Sequence, residues 1–305
     1  MFDHKLLTTF IFLVVNSIML SSCSQLTSIS VPETSLASFI PPAPKDVMVL
    51  PGEVVRFTIP YDINQEEDAT LLCHQKRVPA FKSAGELVVF LSESYFTKGE
   101  SYRCLLVTGE LSREVALITI GKKEYLEERL SVDKKRVFLA KKDLEQVQRE
   151  QKILNRVYAD YQQSFLFTQA FEPPLASKIT SIYGTRRIYN NKKKGQHLGT
   201  DYRAAIGTPI VAANSGEVVL ARHLFFTGNT VIVSHGLSIF TVYGHLSKLF
   251  VSKGDRVLQR DLLGEAGVSG RVTGPHLHWG VKVNGNWVDG YSLIRETATD
   301  DSASN

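Results

Sequence analysis

A short alternating stretch near the C-terminal end, Gly274–Val283, constrains the fold of this chain more than any other segment. A Gly-Pro pair precedes a run in which His276 and His278 alternate with apolar residues. Alternation with a period of two indicates a β-strand, and residues i and i+2 of a strand point to one face, roughly 6–7 Å apart. The pattern therefore predicts a strand that presents two imidazole rings to a shared site.

The surrounding sequence, from Leu175 to about Ile294, has the same strand-like character. Short β-type runs are separated by glycine, and six of the eight histidines of the chain lie here: His197, His223, His235, His245, His276 and His278. This composition predicts a compact, antiparallel β domain over residues 171–295. Residues 296–305 are polar and are predicted to form a frayed tail.

A second β-rich region precedes this one. Residues 46–122 contain five strand-like runs separated by turn residues, and this spacing is typical of a small β-sandwich-like domain. Cys73 and Cys104 lie on predicted strands, so they either pair in a disulfide or remain two buried thiols. No group of His, Asp or Glu in this region has ligand spacing, and we assign it no chemistry.

The segment between the two β regions, residues 123–170, is predicted to be a helical linker. It is charged and lacks glycine and proline over Glu124–Gln163. Its apolar residues fall on one helical face, which predicts one packed stripe. These residues are Leu144, Val147, Leu154, Tyr158 and Tyr161.

The N-terminus resembles a bacterial lipoprotein signal. A short segment with Lys5 precedes an apolar run, which ends in Leu20-Ser21-Ser22-Cys23. Residues 1–22 are therefore predicted to be a cleaved signal peptide, with Cys23 as the lipidated residue. The alternative is an ordinary signal in which Cys23 is incidental. Residues 23–45 are rich in Ser, Thr and Pro, and they are predicted to be a tether.

The charge of the chain excludes some partners. The 305 residues carry a formal net charge of +4, which is small for this length. Basic residues do not form a dense stripe with interleaved aromatics, so we predict no nucleic-acid binding. A mildly basic surface tolerates an anionic polymer without requiring one.

A second motif, His197-Leu198-Gly199-Thr200-Asp201, supplies further ligand types upstream of the paired histidines. Gly199 argues against a helix, and the β-rich context favours a loop that enters a strand. One carboxylate and two imidazoles form a good set for catalytic zinc, since such sites use three protein ligands and keep a fourth position open. His245 follows a predicted strand in Tyr243-Gly244-His245-Leu246, at a strand end where functional residues often lie.

Together these motifs resemble the signatures of the lysostaphin-type, or LytM-domain, zinc metalloendopeptidases of peptidoglycan. The resemblance rests on His197-x-Gly199-x-Asp201, on the Tyr243–Leu246 stretch and on Thr273-Gly274-Pro275-His276-Leu277-His278. It covers roughly Ile179–Asp289, so it includes the second β region and not the first.

The resemblance implies one Zn²⁺ held by His197, Asp201 and His278, with His245 and His276 as catalytic histidines. The implied reaction is hydrolysis of stem peptides or cross-links of bacterial peptidoglycan. Some relatives have lost ligands and instead bind the wall and activate other hydrolases, or are latent. All five positions are filled here, which favours the enzyme.

The resemblance also implies weaker assignments around the site. Arg186, Asn229 and Tyr189 are candidate substrate contacts, although turn formation explains Asn229 equally well. His235 is interpreted as a residue that either supports a metal ligand or stabilises the fold, and His223 as a surface residue. Ser24 after the lipidated cysteine is similar to outer-membrane lipoproteins, which implies a protein anchored in the outer membrane and facing the periplasm.

Overall fold

The structure is a computed structural model, and it describes a mainly β protein. The described residues are 42–62, 68–83, 85–130, 140–159, 162–190 and 193–298. They confirm the predicted fold class, since strands dominate and a helix lies between two strand-rich regions. In this part of the chain, neither helix is long and apolar enough to cross a membrane. The predicted signal peptide, Cys23 and Tyr161 lie outside the described residues.

The N-terminal region forms two facing sheets. Its strands are β1 (Lys45–Val49), β2 (Val54–Pro60), β3 (Thr70–Cys73), β4 (Lys76–Arg77), β5 (Ala80–Ser83), β6 (Glu86–Ser92), β7 (Tyr102–Thr108) and β8 (Leu111–Ile120). One sheet has the order β1-β8-β7-β3-β4, and the other has the order β2-β6-β5. Strands β1 and β8 pair in parallel, whereas the other neighbours are antiparallel.

Cys73 and Cys104 occupy directly opposed positions on β3 and β7. The structure joins them in a disulfide with a Cα–Cα distance of 4.2 Å. Both residues are buried in the core between the two sheets. The bond therefore crosslinks neighbouring strands of one sheet within the hydrophobic core.

Strand β6 is buried on both faces. Leu87, Val89 and Leu91 pack into the core of the N-terminal sheets. Val88 and Phe90 point to the other face and belong to the core of the C-terminal region. The uninterrupted apolar run of this strand reflects its position, since a strand covered on both sides has no polar face.

The segment between the two β regions is only partly helical. Helix α1 covers Lys141–Ala159, whereas Glu127–Leu130 form strand β9. This strand pairs in parallel with β11 (Arg186–Tyr189), so backbone pairing with a distant segment overrides the helix predicted there.

Helix α1 packs against the C-terminal sheet through one end. Ile153, Leu154, Val157 and Tyr158 contact a cluster that includes Ile232 and Phe240. Leu144, predicted to belong to the packed stripe, is instead 47% exposed. The prediction was wrong for Leu144 because the residues that pack lie in the C-terminal half of the helix.

The C-terminal region is built on a large sheet with the order β10-β13-β20-β17-β16-β15-β18. Strands β14, β19 and β21 pair with members of this sheet, and β12 pairs with β11. The bounds are β10 (Ile179–Ser181), β12 (Lys193–Gln196), β13 (Thr200–Arg203), β14 (Pro209–Val211), β15 (Gly216–Leu224), β16 (Gly228–Ser234), β17 (Ile239–Leu249), β18 (Arg256–Val257), β19 (Leu262–Ala266), β20 (His276–Val283) and β21 (Asn286–Val288).

A second helix, α2, covers Gly290–Ala298 and overlaps the predicted tail. Its last turn is held by tertiary contacts. The Thr297 hydroxyl accepts a hydrogen bond from the Phe171 amide at 3.0 Å, and the Glu296 carboxylate accepts one from the Arg56 amide at 2.9 Å. The first residues of the predicted tail are therefore ordered, because helix α2 docks against both β regions.

Candidate metal centre and active site

Three neighbouring strands bring the predicted site residues together. Asp201 of β13 lies directly opposite His278 of β20, and Gly244 of β17 lies opposite His278 on its other side. His245 follows Gly244, so its ring reaches the same end of the sheet. As the alternation predicts, His276 and His278 share one face of β20, while Leu277 and Trp279 are buried on the other.

His197, Asp201 and His278 form a compact ligand set. One ligand atom from each residue lies within 4.8 Å of the other two. His197 Nε2 is 3.0 Å from Asp201 Oδ1, and His278 Nδ1 is 2.9 Å from the same oxygen. Two imidazole nitrogens and a carboxylate oxygen are donors that zinc accepts in catalytic sites. The residues therefore fit a zinc ion.

The orientation of His197 is consistent with this role. Its Nδ1 lies 3.1 Å from the Ile182 carbonyl oxygen, to which it donates, and 3.1 Å from the Ser181 hydroxyl. A proton on Nδ1 leaves the Nε2 lone pair directed at Asp201 and His278. Histidine ligands are commonly fixed in this way by a hydrogen bond from the other ring nitrogen.

Gly199 makes the close packing of the ligands possible. A Cβ atom at this position would lie 2.4 Å from Cε1 of His278 and 2.7 Å from its Nε2. Any side chain at residue 199 would therefore displace a candidate ligand. This contact explains why the first motif has glycine between its histidine and its aspartate.

The electrostatics of the cluster favour an ionised Asp201 carboxylate beside a neutral His278 ring. Burial alone would raise the pKa of Asp201, but the close approach of His197 and His278 holds it well below its usual range. Burial lowers the pKa of His278, against the opposing effect of Asp201. An anionic carboxylate beside unprotonated imidazoles is the form that binds a metal ion.

His245 and His276 lie beside the ligand set without belonging to it. Their ring centroids are 4.7 Å apart, and the His245 ring is 5.9 Å from that of His278. His245 donates from Nδ1 to the Ser269 carbonyl oxygen at 2.9 Å, and His276 donates from Nδ1 to that of Gly274 at 2.9 Å. Each ring therefore keeps Nε2 available for proton transfer.

Burial, and to a smaller extent the nearby His278 and His276, lowers the pKa of His245 to about 3. The ring is thus neutral at physiological pH. Its backbone has a φ of +65°, an uncommon conformation for a residue other than glycine. The His245 amide donates to the Thr227 carbonyl oxygen at 2.6 Å, which helps to hold this conformation. Strained backbone of this kind clusters at functional sites.

The structure places the candidate substrate contacts differently from one another. The Asn229 amide nitrogen donates to the Leu246 carbonyl oxygen at 3.0 Å, so this side chain holds β16 against β17. Arg186 is exposed on β11. Tyr189 ends the same strand, and its side chain lies outside the described residues.

The two remaining histidines match their interpretations: His235 is fully buried and His223 is exposed.

Two residues near the metal cluster, Arg187 and Ser181, are not predicted by the sequence motifs. Arg187 Nη2 lies 3.6 Å from Asp201 Oδ2 and donates a hydrogen bond of 2.7 Å to the Ser181 hydroxyl. The available signal was the alternation along β11, which places Arg187 on the opposite face from Arg186.

The region that carries these residues matches a known family. Residues 195–290 match the sequence model of Peptidase family M23. This part of the chain is an M23 domain, homologous to peptidoglycan DD-endopeptidases.

Curated relatives match this chain over a short stretch. The peptidoglycan DD-endopeptidase ShyA of Vibrio cholerae is 41% identical over 119 residues, which are 38% of this chain and 28% of ShyA. The DD-carboxypeptidase/endopeptidase Mpg of Neisseria meningitidis is 33% identical over 126 residues, which are 41% of this chain and 29% of Mpg. The matched stretch thus spans less than a third of either relative.

Similarity in structure extends further. A crystal structure from Pseudomonas aeruginosa, described as a candidate M23 peptidase, superposes with a TM-score of 0.63 at 25% identity. The superposition covers 82% of this chain and 95% of that chain. The covered share is too large to come from the M23 domain alone, so the N-terminal sheets have counterparts in that protein.

Proposed function

We propose that this protein is a zinc-dependent endopeptidase that hydrolyses stem peptides or cross-links of bacterial peptidoglycan. The observation that carries the proposal is the convergence of His197, Asp201 and His278 on one point, with His245 and His276 beside it. The M23 match and the DD-endopeptidase relatives support the substrate class.

The residues divide into two roles. Zinc held by the three ligands would supply Lewis-acid chemistry, which polarises a carbonyl group and acidifies water. His245 and His276 move protons through their free Nε2 atoms, since the carbonyl oxygens of Ser269 and Gly274 accept from Nδ1. Burial keeps the His245 ring neutral at physiological pH, so its Nε2 presents a lone pair.

Two variants separate these roles. His197→Ala should lose bound zinc and hydrolysis together. His245→Ala should keep zinc but hydrolyse purified peptidoglycan about 10²–10⁴-fold more slowly, which is the usual contribution of a positioned acid or base. Zinc content is measured by atomic absorption, and released muropeptides are identified by mass spectrometry.

The release of muropeptides also distinguishes an enzyme from a wall-binding activator. A purified chain that releases muropeptides without another hydrolase is an enzyme, whereas an activator releases them only when a hydrolase is added. Digestion by His245→Ala at the wild-type rate would show that this histidine has no role in the reaction.

We also propose that the protein is exported and anchored through a lipid on Cys23, facing the periplasm from the outer membrane. The support is the Leu20-Ser21-Ser22-Cys23 sequence after an apolar run, together with the disulfide, since disulfides persist in oxidising compartments. In a diderm host, Cys23→Ser should move the protein from the membrane fraction to the soluble periplasmic fraction. Unchanged partitioning would refute the anchor.

A further inference from the structure

The metal cluster is flanked by a half-buried arginine that contacts one of the candidate ligands. Arg187 lies on β11, and its side chain is 23% exposed. One of its terminal nitrogens, Nη2, lies 3.6 Å from Asp201 Oδ2, while Asp201 Oδ1 faces His197 and His278. The two oxygens of one carboxylate thus have separate partners, and the arginine contacts the oxygen that faces neither histidine.

The same nitrogen also acts on the second ligand. Arg187 Nη2 donates to the Ser181 hydroxyl at 2.7 Å, and this hydroxyl lies 3.1 Å from His197 Nδ1. A hydroxyl oxygen that accepts from Arg187 can also share the imidazole N–H with the Ile182 carbonyl oxygen. The arrangement therefore stabilises the His197 tautomer that leaves Nε2 free for a metal.

Arg187 is in turn held from the segment that precedes the M23 domain. Its Nε atom is buried and has no hydrogen bond within the described part of the chain, but it lies 3.5 Å from the Glu128 carboxylate. Glu128 belongs to β9 and lies opposite Arg187 in the parallel pairing of β9 with β11. Residues 195–290, which match the family, include neither Glu128 nor Arg187 nor Ser181.

We propose that Arg187 is a positioning residue for the metal site and that Glu128 holds it in place. Arg187 orients the Asp201 carboxylate directly and the His197 ring through Ser181. The strand β9, which lies outside the M23 match, thereby contributes to zinc affinity. This inference rests on the zinc site proposed above, and its test reads zinc affinity rather than hydrolysis alone.

The test measures zinc affinity of the full chain by competition with a chromophoric chelator. Arg187→Gln should bind zinc about 10–100-fold more weakly, which is the usual effect of removing a partner of a metal ligand. Arg187→Lys should show a smaller loss, because it keeps the charge without the planar fork of donors. Glu128→Gln should weaken binding in the same direction and less than Arg187→Gln.

The controls lie on the same strand. Glu127 and Arg129 form an exposed ion pair at 3.0 Å on β9, and they lie opposite Arg186 and Ile188 rather than Arg187. Glu127→Gln and Arg129→Gln remove the same charges and should leave zinc affinity unchanged. Excess zinc should restore hydrolysis in Arg187→Gln but not in His245→Ala, because only the first variant is limited by metal binding.

The zinc-affinity measurements distinguish failure of this inference from failure of the proposed function. Wild-type zinc affinity in a folded Arg187→Gln variant would overturn this inference and leave the zinc enzyme intact. Absence of zinc binding by the wild type would overturn the proposed function itself. If circular dichroism shows that Arg187→Gln does not fold, Glu128→Gln decides, and unchanged affinity in that folded variant would also overturn the inference.

Discussion

His235 is a buried histidine that the proposed reaction does not use. Its Nδ1 donates to the Ser215 carbonyl oxygen at 2.7 Å, and its Nε2 lies 2.8 Å from the Thr241 hydroxyl. Burial lowers its pKa to about 4, against the smaller opposing effect of Ser215. The neutral ring is thus part of the folded core, and burial disfavours its protonated form.

This burial predicts a loss of stability in acid. An unfolded histidine has a pKa of about 6.5, so between that value and about 4 the unfolded chain binds a proton that the folded chain does not. The free energy of unfolding therefore falls as pH falls, by about 3 kcal/mol from this residue. His235→Gln should remove this part of the dependence, measured by denaturant unfolding between pH 7 and pH 4.

The informative quantity is the slope of the free energy of unfolding against pH. His235→Gln also changes the packing, but that contribution does not depend on pH. His223→Gln is the control, because that ring is exposed and should leave the wild-type curve unchanged. If wild type and His235→Gln lose stability in parallel as pH falls, His235 does not carry this dependence.

Sequence motifs predict most residues of the candidate site, but not all of them. His197, Asp201, His245, His276 and His278 lie in three short motifs, and a strand period of two suffices to place the last pair on one face. Arg187 could not be assigned in this way. The alternation along β11 only separates its face from that of Arg186, whereas its contact with Glu128 depends on pairing with β9, a parallel partner more than 50 residues away in the sequence.

At the scale of elements, long-range pairing also explains the departures from the predicted linker. Glu127–Leu130 are charged and favour a helix locally, yet they complete a small sheet with β11 and β12. Helix α1 was predictable from its apolar stripe, but which turns of the helix pack depends on where the sheet lies. Its C-terminal half meets the sheet, where Tyr158 contacts Phe240 with ring centroids 5.3 Å apart.

For the whole molecule, strand β6 shows that the two β regions share a core. Phe90 is 5% exposed and belongs to the C-terminal cluster, while its neighbours Val89 and Leu91 belong to the N-terminal one. Hydrogen bonds also cross the boundary: the Ser92 hydroxyl donates to the Val283 carbonyl oxygen at 2.7 Å, and the Val54 amide donates to the Ser292 hydroxyl at 3.0 Å. The two regions should therefore unfold together.

Calorimetry of the full chain should show one unfolding transition, and Phe90→Ala should shift all of it to lower temperature. Removal of a buried phenylalanine costs about 3–5 kcal/mol, and here the cavity opens where both regions meet. Leu111→Ala on β8 is the control, since Leu111 is 78% exposed and its loss should change stability by less than about 0.5 kcal/mol. Two transitions, of which Phe90→Ala moves only one, would show that the regions are independent despite their shared core. A single shifted transition would mean that the N-terminal sheets stabilise the sheet that carries the metal ligands.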